Sequence, residues 1–269
     1  MNRIKKFIRD VNSEIKENRN TFLVYVVMRL FVIIIMILQI LNRNYENVFL
    51  CVLTLALMIM PSVFQATFKV DLPSLFEIII LIFIFAAEIL GELSSFYFLY
   101  PHWDTILHTI NGFLCAAIGF SLMDIMNKDE RIKFKMAPAF LAIVAFCFSM
   151  TIGVCWEFFE FSCDQILHTD TQKDSVVEVI YTTYLDENQN NEVVVIDDIK
   201  SLKINDEQLN IKGYLDIGLI DTMHDLIVNF IGAIVFSISA YLYLTSKGKG
   251  KIIGKLMMRR KKKEEDYLQ

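Results

Sequence analysis

Six apolar runs, each nearly free of charge, constrain this chain more than any other feature. They lie at 21–41, 47–67, 74–99, 104–124, 137–161 and 219–244. A helix of roughly 20 such residues spans the hydrocarbon core of a bilayer. The runs therefore predict an all-α polytopic membrane protein, a six-helix transmembrane bundle. Composition agrees: 55% of the residues are hydrophobic, above the ~45–50% of an ordinary soluble domain, and mean hydropathy is +0.45. The first run follows a basic stretch, as in a secretory leader. It is too long for a leader's apolar segment and no small-residue cleavage site follows, so it reads as a retained anchor.

The formal net charge of -5 conceals a segregation that orients the bundle. Residues 1–20 hold six basic side chains, and 247–263 hold nine with no acid. Residues 169–218 hold eleven acids against four lysines. Short cytoplasmic loops are enriched in Lys and Arg. With the N-terminus inside, the loop at 125–136, with Lys128, Arg131, Lys133 and Lys135, also falls inside, as does the basic tail. The acidic loop falls outside, and Arg43 is the one mild exception. The expected organisation is a cytoplasmic amphipathic lead-in at 1–20 and spans one to five within 21–164. An extracytoplasmic β-rich loop at 165–218, span six at 219–244 and a cytoplasmic polybasic tail at 245–269 complete it. The tail is read as contacting anionic lipid; nucleic acid is not an expected partner.

The loop 165–218 is too long to be a plain connection. Two β-branched runs, Val176–Tyr181 and Glu192–Ile196, flank a polar Asn-rich turn at Asp186–Asn191, which reads as a β-hairpin. Two more short strands are expected near 200–204 and 209–214. Of the five cysteines, Cys51, Cys115, Cys147 and Cys155 fall within apolar runs and Cys163 just past one. None forms a CxxC pair, so they read as packing residues rather than a disulfide framework.

Ionisable side chains within the spans carry the chemistry. The third run holds Glu88 and Glu92, and the fourth opens with Asp104 and His108. The fifth closes with Glu157, Glu160 and Asp164; the sixth opens with Asp221, His224 and Asp225. Spacings of three or four place each set on one helix face, and Asn111, Gly112, Asn229 and Gly232 continue these stripes. In the predicted topology all four sets lie at the outer end of the bundle. A charge in the membrane core costs roughly 2.5–3.5 kcal/mol on insertion scales, so the sets are expected to face inward. Carboxylate oxygens with imidazole nitrogens suit Zn, Mn, Fe or Mg, and such a metal activates water. In this reading His108, Glu160, Asp221 and Asp225 are ligands, and His108, Glu157 and Glu160 act in acid/base or catalytic roles. Glu88, Glu92, Asp104, Asp164, His224 and Asn229 support them.

The order of these motifs resembles the YjdF-like family of bacterial inner-membrane proteins and, more loosely, VanZ-like proteins. The resemblance rests on Asp104-Thr-Ile-Leu-His108, on Trp156-Glu157-Phe-Phe-Glu160 and on Gln172. It continues with Asp221-Thr-Met-His224-Asp225, Asn229 and Gly232-Ala233, and covers roughly 75–245. VanZ-like proteins tend to carry Lys where this chain has Thr105. The resemblance implies the topology and the residue choice without naming a substrate, and it makes the β-rich loop look like an insertion.

The leading functional expectation is an outward-facing carboxylate/His site acting by cation-dependent hydrolysis or modification of a lipid-linked or cell-wall-linked substrate. A transporter or proton/cation pathway through Glu88 and Glu92 is one alternative. A non-catalytic envelope scaffold that binds through the hairpin is another.

Overall fold

The computed structural model describes residues 19–68, 70–129, 135–246, 248 and 250–260. Of the expected lead-in at 1–20, residues 1–18 lie outside this range and the last two open the first helix; the residues after 260 also lie outside it. The fold is mostly helical, and among the described residues six helical stretches are long and apolar enough to cross a membrane. In chain order the elements are α1 (Arg19–Leu41), α2 (Tyr45–Leu57), α3 (Met60–Phe68), β1 (Val70–Asp71), α4 (Ser74–Phe85), a π-helix (Ala86–Leu93) and α5 (Phe96–Leu99). There follow α6 (Trp103–Lys128), α7 (Pro138–Leu167), β2 (Ser175–Val177), β3 (Ile180–Thr182), β4 (Val194–Ile196), β5 (Leu202–Ile204), β6 (Glu207–Leu209), β7 (Tyr214–Asp216), α8 (Leu219–Thr245), α9 (Lys251–Leu256) and β8 (Arg259–Arg260).

The residues group into two compact units. One comprises the chain up to 152 together with residues from 228 onward; the other comprises 153–227.

In the first unit one apolar core gathers Phe76, Leu114, Phe120, Leu141 and Phe236. Phe113 and Phe120 pack edge-on to Phe236, with ring centroids 5.0 and 6.0 Å away. A second cluster joins Val32, Cys51, Met58, Leu81 and Ile84. Two predicted spans are interrupted. The second breaks between Leu57 and Met60, and Arg29 Nη2 donates to the Met58 carbonyl at 2.9 Å. A carbonyl freed from its helix ladder has to be satisfied by protein where water is excluded, and Arg29 does this from α1. The third run is not one helix over 74–99: α4 passes into the π-helix at Ala86, the chain turns through Ser95 in the left-handed region (φ 59), and α5 is a separate short turn.

The polybasic segment is not a plain solvated tail where it is described. Ile253, Leu256 and Met258 are buried in the first core. The segment closes with β8 pairing antiparallel to β1, Val70 opposite Arg260 and Asp71 opposite Arg259. Arg259 Nε lies 2.6 Å from Asp71, Arg260 Nη1 lies 2.7 Å from Asp129, and the Met258 N–H donates to Ser121 Oγ.

In the second unit the β-rich loop forms three two-stranded antiparallel ladders, β2–β7, β3–β4 and β5–β6. The run read as one strand over 176–181 is split between two partners: Val176 faces Leu215, and Tyr181 faces Val195. Asp164, near the end of α7, fixes the entry to this loop. Its Oδ1 accepts from the Thr171 N–H at 2.7 Å and from the Thr169 hydroxyl at 2.9 Å, and its Oδ2 accepts from the Gln172 N–H at 2.9 Å. The exit is fixed by Asp216, whose carboxylate accepts from the Ile220 N–H at 2.9 Å in the first turn of α8, where an acid both caps the helix and complements its dipole.

Candidate functional site

In the first unit, the π-helix brings Glu88 into the interior. Glu88 is 4% exposed and Gly91 is buried beside it. A π turn carries one extra residue per hydrogen-bonded ring and occurs frequently at functional sites. The widened turn leaves the Ala86 carbonyl to accept from Trp103 Nε1 at 3.3 Å, which links the π-helix to the start of α6. Gly91 is the position that permits the packing of Tyr97, since a Cβ there would stand 2.5 Å from the ring. One turn into α6, His108 Nε2 lies 3.5 Å from Asp104 Oδ1, the histidine largely buried and the aspartate partly open. A carboxylate beside an imidazole orients the ring. His102 stands at the N-cap position of α6 in the left-handed region (φ 74), makes no side-chain capping bond and is exposed.

In the second unit, Glu157 and Asp225 are the two buried acids, 5% and 2% exposed. His224 is half open, its Nδ1 3.7 Å from Asp225 Oδ1. Glu160 is half-buried, and its backbone carbonyl lies 3.0 Å from the Thr171 hydroxyl. Asp221 Oδ2 accepts from the Lys173 N–H at 2.8 Å, and Gln172 Nε2 donates to the Thr222 hydroxyl at 2.5 Å. Asp164 and Asp221 thus hold the loop to the helix ends, with backbone N–H groups on their carboxylates. Gln172 does the same from the loop side.

Some residues marked by sequence spacing have a packing role. Asn229, 1% exposed, accepts from Asn111 Nδ2 at 3.2 Å and lies 3.6 Å from Met150 Sδ through its own Nδ2. Gly112 and Gly232 sit where α6 and α8 approach closely. A Cβ at Gly112 would stand 2.1 Å from the Asn229 carbonyl oxygen, and one at Gly232 2.0 Å from that of Thr109. Small residues with an interhelical amide bond are a familiar means of packing helices in membranes.

Two buried acids escaped the sequence reading. Glu77, in the first turn of α4, accepts from Gln65 Nε2 at 3.1 Å, and Gln65 Oε1 in turn accepts from the Leu72 N–H. Asp124 is buried near the end of α6 and lies 2.6 Å from Lys128 Nζ. The i,i+4 spacing of Asp124 and Lys128 was available in the sequence as a signal for the second pair.

The family described as "Predicted membrane protein (DUF2238)" matches residues 23–246. The chain belongs to this family. A protein of Thermotoga maritima, described only as an uncharacterized protein, is 28% identical over 125 residues. That match covers 45% of this chain and 62% of the relative, so the chain spans less than two thirds of the relative's length. No solved structure matches. The family range runs from the first apolar helix to the end of α8 and includes every site residue described above.

Proposed function

We propose that this member of the family is a cell-envelope protein whose span carboxylates and imidazoles bind a divalent cation and use it on a lipid-linked or wall-linked substrate, by hydrolysis or modification. The supporting observation is the burial of Glu157 and Asp225 within apolar helices, with His224 beside Asp225. The helical segments 153–167 and 219–227 that carry them contain no Lys or Arg. Carboxylates buried in apolar helices favour a bound positive charge, and a cation supplies one.

Asp225, Glu157 and His224 offer oxygen and nitrogen donors of the kind that suits Zn, Mn, Fe or Mg. Glu160 and Asp221 are the further ligands the reading assigns. When bound, the cation would supply Lewis acidity and an activated water. His108, oriented by Asp104, is the group this reading assigns to proton transfer. The reading also keeps the orientation given by the Lys/Arg bias, both termini cytoplasmic, and the YjdF-like resemblance. The test is elemental analysis of protein purified without chelator. Stoichiometric metal, lost in Asp225→Ala and Glu160→Ala, supports the reading; metal-free protein whose variants retain the full cellular phenotype ends it. The same measurement on His108→Ala reports whether the histidine of α6 takes part.

A second reading is favoured by one observation, the placement of Glu88 in a π turn. A buried acid in a span with a widened backbone turn suits a proton or cation pathway. Flux in liposomes that is lost in Glu88→Gln, with metal content unchanged, would select it over the first.

A further inference from the structure

We infer a calcium site of the 12-residue-loop type in the β-rich insertion, built on Asp186, Asn188, Asn190 and the backbone carbonyl of Glu192. It lies apart in sequence from the carboxylates of the proposed site and does not depend on their reading.

The sequence pattern is the first ground. From Asp186 the chain reads Asp-Glu-Asn-Gln-Asn-Asn-Glu. Calcium loops place oxygen-bearing side chains at their first, third and fifth positions and a backbone carbonyl at the seventh, with a residue of left-handed conformation at the sixth. Here those positions are Asp186, Asn188, Asn190, Glu192 and Asn191. Asn replaces the usual Gly at the sixth, one of the few other residues that take that conformation readily. The eighth position, Val193, is apolar, as β-sheet entry after such a turn requires, and β4 follows at once.

The backbone follows the pattern. Asn191 has φ 60 and Gln189, at the fourth position, φ 55. Asp186 accepts from the N–H groups of Asn188 at 3.0 Å, Asn190 at 2.7 Å and Glu192 at 3.2 Å, which wraps the chain around its carboxylate. The side-chain amides of Asn188 and Asn190 have no protein partner among the described residues, so their oxygens remain available.

A separate ground lies in how the insertion is held together. Between 165 and 218 no apolar side chain is buried; only Gly213 and Gly218 are. That stretch has no cysteine, and its ladders are two strands wide. Isolated two-stranded ladders are marginal in water. Segments this small usually depend on a disulfide, a metal or a partner for their order. A bound cation answers that need for the β3–β4 ladder, whose turn is this loop.

The donors favour calcium. They are one carboxylate, two amide oxygens and one carbonyl in a flexible, exposed turn, which suits a cation taking 6–8 oxygens and completing its shell with water. Magnesium demands a rigid octahedron and gives up water reluctantly. The twelfth position, Asp197, follows the extended β4 and is not counted as a ligand. With few protein oxygens, the affinity falls in the range of about 10⁻⁴–10⁻³ M typical of extracellular modules.

The experiment uses the full chain in detergent or nanodiscs with terbium and calcium as probes. Tyr184, 94% exposed and two residues before Asp186, sensitises terbium luminescence. The expected result is saturable terbium emission displaced by calcium but not by equal magnesium. Asn188→Ala with Asn190→Ala leaves the backbone bonds to Asp186 in place and is expected to weaken calcium binding at least about tenfold. Asp198→Ala, just beyond β4, is expected to leave it unchanged, and Asp225→Asn likewise, which separates this site from the proposed one. Calcium is also expected to slow tryptic cleavage at Lys200, Lys203 and Lys212 in the parent and not in the double variant. No saturable signal up to about 10 mM calcium, well beyond the range of such loops, would overturn the proposal. Equal affinity in the double variant would do the same.

Discussion

Asn229 Oδ1 accepts a hydrogen bond of 3.2 Å from Asn111 Nδ2, joining α6 to α8 across 118 residues of sequence. Both residues lie in apolar spans, so an amide left without its partner has little water to turn to. Interhelical polar bonds in membranes contribute about 0.6 kcal/mol on average and up to about 1.7. Asn229→Leu is expected to lower the thermal midpoint in detergent. The Asn111→Leu, Asn229→Leu double variant should lower it less than the sum of the two single changes, because no orphaned amide remains. Additive effects in that cycle would show the bond to be unimportant.

Gly112 and Gly232 supply a sharper test of the same helix crossing. Each would place a Cβ close to 2 Å from a backbone oxygen of the opposite helix. Backbone cannot swing aside as a side chain can, so the helices must separate. Gly232→Ala is expected to destabilise by about 1–3 kcal/mol, the usual cost of overpacking. Gly119→Ala meets the side chain of Phe148 instead, at 2.7 Å, and should cost less. Thermal unfolding of the two purified variants ranks them.

The ion pair between Arg259 and Asp71 is partly exposed, and such pairs contribute about 0.2–1 kcal/mol and weaken with salt. Removing residues 250–260 is expected to cost much more, because Ile253, Leu256 and Met258 leave the core with it. Unfolding midpoints of Arg259→Gln and of the truncation, at low and high salt, separate the charge from the packing. Only the Arg259→Gln difference should shrink as salt rises.

Asp174 provides a pH dependence. Asp174 is exposed, and its carboxyl is raised above the ordinary range by partial desolvation and by the nearby charges of Asp170, Asp216 and Asp164. An acid whose folded-state pKa is raised destabilises the folded form when ionised. That penalty is fully present above the folded value and disappears as pH falls below the unfolded one. Asp174→Asn is therefore expected to protect the insertion from proteolysis at neutral pH and to make no difference in acid near the ordinary aspartate range. Protection that is equal in both proteins at neutral pH would exclude the effect.

The spans were legible because hydropathy along a helix is a local property, and 21–41 and 219–244 coincide with α1 and α8 to within a few residues. Their interruptions were not. Nothing in Phe85-Ala86-Ala87-Glu88 breaks a helix by propensity; the π turn is accompanied by the bond from Trp103 to Ala86, a tertiary contact. The splitting of Val176–Tyr181 between β7 and β4 is likewise non-local. The basic residues of 247–260 suggested a tail on anionic lipid, and their charge masked the apolar Ile253, Leu256 and Met258. Spacing on helix faces found the acids and histidines of α6, α7 and α8, and also found Asn229 and Gly232, whose stripe serves helix contact. Periodicity reports a shared face, and only the neighbouring helix decides what that face is for.

The pairing of β8 with β1 has a consequence for how the molecule is made. Residues 251–260 leave the ribosome after the six apolar helices described above, yet Ile253, Leu256 and Met258 complete the interior around Phe76, Leu114 and Phe120. Insertion can proceed helix by helix during translation, but the closing of that interior has to wait for synthesis to pass residue 260. A nascent chain stalled short of that point would sit in the membrane with its helices in place and one end of its interior still open.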